Sequence, residues 1–135
     1  ITRYLGKRGS SPIRVSSRCP ENAVELALQY GGFGAGLDDL SHLLDGVTGI
    51  LSATAAPHPV IFLEHIRGSN RPLYITDLSV PPDCNQDIPG LPHVLYQGLE
   101  QIEAKAQSNV QERRRCAEQA ATIIRDGATA WSRHT

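Results

Sequence analysis

The chain has 135 residues, of which 40% are hydrophobic, and a formal charge of −1 at pH 7. This length fits about one domain, and the hydrophobic fraction is enough to form a core. A balanced charge gives no general attraction to nucleic acid or to a membrane surface, and no apolar run reaches the roughly 18 residues that a membrane-spanning helix needs. Three widely spaced cysteines, an odd number, argue against a disulfide framework and favour a reducing compartment, the cytoplasm.

The N-terminal residues 1–9 are typical of the end of a helix, with Gly9 as its C-terminal stop. A nucleotide-binding α/β unit begins instead with a strand and a Gly-rich turn, and neither pattern is found here. We therefore expect the chain to start one helix into a larger protein. The alternative is a frayed N-terminal helix of a complete small domain.

Strand and helix patterns alternate from residue 10 to residue 96. β-Branched residues predict a strand over 13–18, and Pro20 can begin a helix whose apolar face ends at Gly31-Gly32. The alternation predicts right-handed crossovers and a parallel sheet, an α/β fold of the Rossmann type that is incomplete at its N-terminus. The other predicted elements are a short helix over 37–44, a strand over 47–54, a short helix over 59–67, and strands over 73–78 and 93–96.

Three of the strand candidates end in small, polar or Pro-containing residues. These are the segments 13–18, 51–61 and 72–79. In an open parallel sheet the carboxyl ends of the strands lie along one edge, where ligands bind. Small residues at that edge let a ligand approach the backbone closely. The pattern therefore predicts a nucleotide-binding α/β domain.

The composition changes from about Gln97 onward. Apolar residues recur every three or four positions, with Arg113 as the only break, and no Pro interrupts the run to Trp131. This predicts one continuous helix from about Leu99 to Trp131, and a division into domains 1–97 and 98–135. We expect its apolar stripe to lie on another domain, or on a second copy in a two-fold dimer, and the alternative is a helix folded back on its own sheet. The stripe consists of Leu99, Ile102, Ala106, Val110, Ala117, Ala120 and Ile124.

Four segments in order resemble the NADPH-binding domain and following connector helix of glutamyl-tRNA reductase, namely residues 15–19, 52–61, 77–83 and 109–124. The resemblance covers nearly the whole chain. It implies NADP as cofactor, in an enzyme that reduces glutamyl-tRNA to glutamate-1-semialdehyde for tetrapyrrole (porphyrin) biosynthesis. It also implies that the thioester-forming Cys lies in a separate N-terminal domain. Cys19, Cys84 and Cys116 are therefore not expected to be catalytic, and this chain alone is expected to be inactive.

Arg18 follows the second strand of the expected nucleotide-binding unit. An acidic residue there would bond the ribose 2′-OH of NAD, whereas Arg accommodates the 2′-phosphate of NADP. The preceding hydroxyls of Ser16 and Ser17 could add donors. The alternative is an Arg that simply faces solvent at a strand end.

Two further segments are expected to line the cofactor site. One would form the wall against the nicotinamide, and the alternative for it is a tight turn without a ligand; it comprises Ala53, Thr54, Ala55, Ala56 and Pro57. The other would line the same edge one strand over and comprises Asp77, Leu78, Ser79 and Val80. Asp77 can equally hydrogen-bond neighbouring backbone amides. His58, between two prolines, is interpreted as a surface residue rather than a proton donor.

Other chemistry and other functions are weighed against this interpretation. The five histidines show no metal-ligand spacing, so no metal site is predicted. Arg113 to Arg115 could contact tRNA phosphate, but a solvated helix face is the favoured interpretation. The alternative functions are a shikimate-dehydrogenase-like NADP oxidoreductase, which the long helix disfavours, and a non-catalytic helical interaction module. Titration with a nicotinamide cofactor distinguishes the two oxidoreductase functions, which require binding, from the non-catalytic interaction module.

Overall fold

The computed structural model of the chain describes residues 1–9, 12–66 and 70–132, with side chains described in the last helix up to residue 126 and at residues 128 and 129. Strands and helices alternate and a long helix follows, which confirms the predicted fold class. The elements are α1 (Thr2–Lys7), β1 (Arg14–Ser17), α2 (Pro20–Leu28), β2 (Phe33–Gly36), a 3₁₀ turn (Leu37–Asp39), α3 (Leu40–Leu43), β3 (Gly49–Ser52), α4 (Leu63–Ile66), β4 (Leu73–Asp77), a second 3₁₀ turn (Ile88–Gly90), β5 (Val94–Gly98) and α5 (Leu99–Ser132).

The described strands form two sheets, and every pairing is parallel. β1 pairs with β2, while β4 lies between β3 and β5. A doubly wound sheet of the Rossmann type has the strand order 3-2-1-4-5-6. The two sheets correspond to the 3-2 side and the 4-5-6 side of that order. The register places Ser52, Asp77 and Gly98 side by side at the carboxyl ends of the three-stranded sheet.

Strand β2 was not predicted from the sequence. Its residues, Phe33-Gly-Ala-Gly36, include two glycines, which disfavour a strand by propensity. Packing explains the glycine at position 34, because a Cβ there would lie 2.3 Å from the Val24 nitrogen and 2.4 Å from the Ala23 carbonyl carbon. Helix α2 therefore approaches β2 so closely that only glycine fits between their backbones.

Helix α2 follows the predicted pattern. It begins at Pro20, where the missing N–H has no helical partner to lose. Its buried face is made of Ala23 and Ala27, whose small side chains permit the close approach to β2. The chain leaves the helix through Gly31, whose φ of 64° lies in the left-handed region that glycine adopts at low cost.

The core lies on β4 and the segments that flank it. Alternate residues of β4 are buried, namely Leu73, Ile75 and Asp77, while Tyr74 between them is exposed. This period of two is the signature of a strand with one buried face. The same alternation places the Asp77 carboxylate on the buried face at the end of the strand. The buried cluster consists of Ile61, Ile66, Leu73, Ile75, Cys84 and Ile88.

Helix α5 runs without interruption from Leu99 to Ser132, as predicted. The chain divides into two compact units, Ile1–Gly98 and Leu99–Thr135. In the second unit Val110, Ile123 and Ile124 are exposed apolar side chains. None of the helices in the described part of the chain is long and apolar enough to span a membrane.

Candidate functional site

The loop that follows β3 is an exposed part of the carboxyl edge. After Ser52 the chain enters residues 53–59, whose members are small residues, prolines and His58. In the segment predicted as the nicotinamide wall, Ala56 is half-buried, and Ala53, Thr54, Ala55 and Pro57 are exposed. A ligand can therefore reach the backbone of this segment from solvent.

The carboxylate of Asp83 holds the start of this loop. Its side chain is fully buried and accepts hydrogen bonds from the hydroxyls of Ser52, Ser79 and Thr54. The Thr54 amide lies 3.1 Å from the same carboxylate and 2.9 Å from the Ser79 oxygen. Asp83 therefore joins the carboxyl end of β3 to the segment that follows β4.

The Asp83 carboxylate is ionised at neutral pH. Burial by itself would raise its pKa, because it removes the charge from water. The hydrogen bonds donated by Ser52, Ser79 and Thr54 outweigh burial and hold the pKa below its usual range. An ionised carboxylate only accepts hydrogen bonds, which matches the donors that surround it.

Asp77 organises a second set of contacts next to the first. Its carboxylate accepts hydrogen bonds from the amides of Ser79 and Cys84, each at 3.0 Å, and from the Tyr96 hydroxyl at 3.2 Å. Bonding of Asp77 to backbone amides is the alternative to ligand contact that its position at a strand end predicts. The Asp77 side chain is only 1% exposed. Contact between this side chain and a cofactor stays a prediction.

The neighbours of Asp77 are poor proton carriers. Burial raises the pKa of Cys84 to about 12, and the negative charges of Asp77 and Asp83 add to the effect. Burial, followed by the charge of Asp77, also raises the pKa of Tyr96. Both groups therefore stay protonated at neutral pH.

The residues predicted to bind the 2′-phosphate lie at the carboxyl end of β1. Arg18 is exposed and makes no hydrogen bond or ion pair with any other residue in the described ranges. The Ser17 hydroxyl donates to the Cys19 carbonyl at 2.6 Å and accepts from the Cys19 amide at 3.2 Å. The Ser16 hydroxyl is buried and has no hydrogen-bond partner among the described residues. A buried hydroxyl without a partner is unusual.

The other two predicted residues on the edge differ from each other. Leu78 is half-buried, and its amide donates to the Ser52 carbonyl at 2.8 Å. Val80 is 76% exposed and presents an apolar side chain to solvent. Within the described residues, no group of three or more His, Cys, Asp or Glu side chains is arranged to hold a metal ion.

Comparison with known proteins identifies the family. The sequence model for shikimate/quinate 5-dehydrogenase matches residues 1–104. The chain belongs to that family. The matched segment includes both sheets and the first residues of α5.

Several similar proteins are named glutamyl-tRNA reductase. Glutamyl-tRNA reductase from Alcanivorax borkumensis is 29% identical over 93% of the chain and 31% of its own length. The Deinococcus radiodurans enzyme of the same name is 30% identical over 96% of the chain and 39% of its length. The solved glutamyl-tRNA reductase from Methanopyrus kandleri superposes with a TM-score of 0.71 at 32% identity, covering 84% of the chain and 30% of that structure. The chain thus spans about a third of the length of these proteins, and the predicted resemblance is confirmed.

Membership of a dehydrogenase family implies a nicotinamide cofactor. The residues present fit such a group. Among the described residues, Arg18 has no ion-pair partner and the buried hydroxyl of Ser16 has no hydrogen-bond partner, and residues 53–57 leave room along the backbone. Among the described residues, no hydrogen bond joins the Arg18 region to residues 53–57. Arg18 follows a strand of the two-stranded sheet, whereas residues 53–57 follow a strand of the three-stranded sheet.

Asp83 and Ser52 were not predicted from the sequence as parts of the candidate site. Asp83 lies within the segment 77–83 that carries the resemblance, but no local pattern shows that its side chain reaches back to β3. One signal was available. Ser52, Thr54 and Ser79 are hydroxyl residues at two strand ends, and buried hydroxyls need an acceptor.

Proposed function

We propose that this chain is the NADPH-binding part of a glutamyl-tRNA reductase, an NADPH-dependent oxidoreductase of tetrapyrrole biosynthesis. The observation that carries the proposal is the extent of the similarity. The first compact unit ends at Gly98, so a match over 93% of the 135 residues must extend far into α5. The shikimate/quinate model stops at residue 104. The combination of the sheets with this helix favours glutamyl-tRNA reductase.

In this proposal the chain binds and orients the cofactor, which supplies the hydride. Arg18 pairs with the 2′-phosphate, and Ser16 and Ser17 add hydroxyl groups beside it. Residues 53–57 lie against the nicotinamide, and residues 77–80 line the neighbouring edge. The catalytic cysteine belongs to another part of the enzyme, so none of the three cysteines here acts as nucleophile.

The partners follow from the same proposal. The substrate of the whole enzyme is glutamyl-tRNA, and its product is glutamate-1-semialdehyde. Helix α5 is the connector and the surface through which two copies form a homodimer, because it carries exposed apolar side chains. The free cysteines are consistent with the cytoplasm.

The experiment that tests the cofactor assignment compares NADPH with NADH. It uses the longest polypeptide that the coding sequence specifies, with binding followed by the fluorescence of the reduced nicotinamide. Arg18→Ala should weaken NADPH binding by about 1.5–3 kcal/mol, the scale of a hydrogen bond to a charged group. This loss corresponds to roughly 10- to 150-fold in Kd. The affinity for NADH, which has no 2′-phosphate, should barely change.

Arg125→Ala is the matched control, because Arg125 is an exposed Arg on α5 and its loss removes the same charge. Equal losses for NADPH and NADH in Arg18→Ala would mean that Arg18 has a structural role. Binding of neither cofactor by the unmodified protein would refute the proposal.

A shikimate/quinate 5-dehydrogenase activity is the second candidate, and the family match over residues 1–104 favours it. It predicts reduction of NADP when shikimate or quinate is added, which is followed by absorbance at 340 nm. The glutamyl-tRNA reductase proposal predicts no such reduction, and it predicts oxidation of NADPH with glutamyl-tRNA by the whole enzyme.

A further inference from the structure

One residue holds both ends of the loop over residues 53–59. On the N-terminal side, the Asp83 carboxylate accepts hydrogen bonds from Ser52 and Thr54. On the C-terminal side, the Asp83 carbonyl accepts from the amides of Val60 and Ile61 at 2.8 and 2.9 Å. The loop therefore leaves and returns to the same point of the structure.

The hydrogen bonds also reach the middle of the loop. The Thr54 hydroxyl donates to Asp83 at 2.5 Å and accepts from the Ala56 amide at 3.1 Å. The side chains of Ala53, Ala55 and Pro57 are exposed, so they contribute little packing that could order the segment. The shape of the loop therefore depends on its polar contacts with Asp83.

We propose that Asp83 is a positioning residue of the cofactor site, which fixes the shape of residues 53–57 and thereby the place where the nicotinamide end of the cofactor rests. The inference rests on the proposed function, because it takes residues 53–57 as the nicotinamide wall. Asp83 is fully buried behind the loop and acts through Thr54 without touching the cofactor.

The first test measures the loop itself and needs no cofactor. Asp83→Asn keeps the shape of the side chain, but one oxygen then becomes an NH₂ donor that faces the Thr54 hydroxyl or the two serines. Hydrogen exchange followed by mass spectrometry should show the hydrogen-bonded amides of Thr54 and Ala56 exchanging at least tenfold faster, while those of β4 keep their protection. Asp87→Asn is the matched control, because Asp87 is an exposed Asp four residues away and its loss removes the same charge.

A second pair of variants covers the case in which Asp83→Asn fails to fold. Thr54→Val keeps the size of the side chain but removes the hydroxyl that links Asp83 to Ala56. It should also speed exchange of the Ala56 amide, which loses its acceptor, whereas Thr54→Ser, which keeps the hydroxyl, should keep exchange slow. Unchanged exchange in both Asp83→Asn and Thr54→Val would overturn the inference.

The third measurement separates the two ends of the cofactor. In Asp83→Asn, the affinity for NADPH should fall roughly tenfold, the scale of one hydrogen bond to a charged group. The affinity for adenosine 2′,5′-bisphosphate, which lacks the nicotinamide, should stay unchanged, and the emission of bound NADPH should shift towards that of free NADPH. Equal losses for both ligands would overturn the inference. If the unmodified protein binds neither ligand, the proposed function fails, and hydrogen exchange still decides whether Asp83 holds the loop.

Discussion

The contact between α2 and β2 makes a quantitative prediction about Gly34. In Gly34→Ala the added Cβ would lie 2.3 Å from the Val24 nitrogen and 2.4 Å from the Ala23 carbonyl group. Non-bonded carbon contacts lie at roughly 3.5–4.0 Å, so α2 would have to move by about 1 Å. Overpacking costs about 1–3 kcal/mol, and we expect the upper end because backbone atoms cannot rotate away. At about 4–8 °C per kcal/mol, the Tm should fall by roughly 12–24 °C.

The assay is thermal and urea unfolding of Gly34→Ala beside Gly49→Ala. Gly49 is also a strand glycine, but a Cβ there would meet only the Tyr74 carbonyl oxygen, at an ordinary 3.9 Å. The control should therefore keep its stability, or gain about 0.4–1 kcal/mol from a less flexible unfolded chain. If Gly34→Ala were as stable as Gly49→Ala, the close approach of α2 to β2 would be wrong.

Three further predictions concern reactivity, pH and association. At pH 8 a thiol reagent should label the exposed Cys19 and Cys116, while Cys84, with its pKa near 12, should react only after unfolding. Mass spectrometry of the labelled native protein checks this, and labelling of Cys84 before unfolding would contradict it. The pKa of Asp83 is lowered in the folded state, so its stabilising contribution is present above the unfolded pKa of about 4 and is lost as the pH falls through the folded pKa. The difference in unfolding free energy between the wild type and Asp83→Asn should therefore shrink below about pH 4, and a constant difference would argue against this ionisation. If two copies of the chain form a homodimer through α5, sedimentation should show association that increases with protein concentration. Ile124→Lys should abolish this association. A monomer at all concentrations would remove support for the dimer.

The parts of the fold that the sequence predicted are those with a local pattern. Each of these patterns lies within a few helical turns or a single strand. They are the alternation in β4, the Pro20 start of α2 and the apolar stripe of α5, which only Arg113 interrupts. Strand β2 was missed because its glycines are required by α2, which packs across it. Nothing within residues 33–36 shows that requirement. The separation of the strands into two sheets also depends on pairing partners distant in sequence.

The candidate site shows the same limit. Residues 53–57 and Arg18 could be proposed from the sequence because the ends of strands can be read from their residue types, and their contact with a cofactor stays a prediction. Asp83 was missed because its role depends on hydroxyls 29 to 31 residues away, at Thr54 and Ser52. Conversely, Asp77 was selected for its position at a strand end, but its carboxylate is occupied by Ser79, Cys84 and Tyr96.

The hydrogen bond between Ser52 and Asp83 also has a consequence for the order of folding. Since 31 residues separate these partners, the loop after β3 cannot take its final shape until the chain through β4 has been made and packed. During synthesis on the ribosome, a nascent chain that ends before Asp83 would contain every residue of that loop without the acceptor that orders it. The hydroxyls of Ser52 and Thr54 would remain solvated until the later segment arrived, at a closure cost that grows only slowly with loop length. Binding competence at this edge would then appear in a single late step, together with the completion of β4.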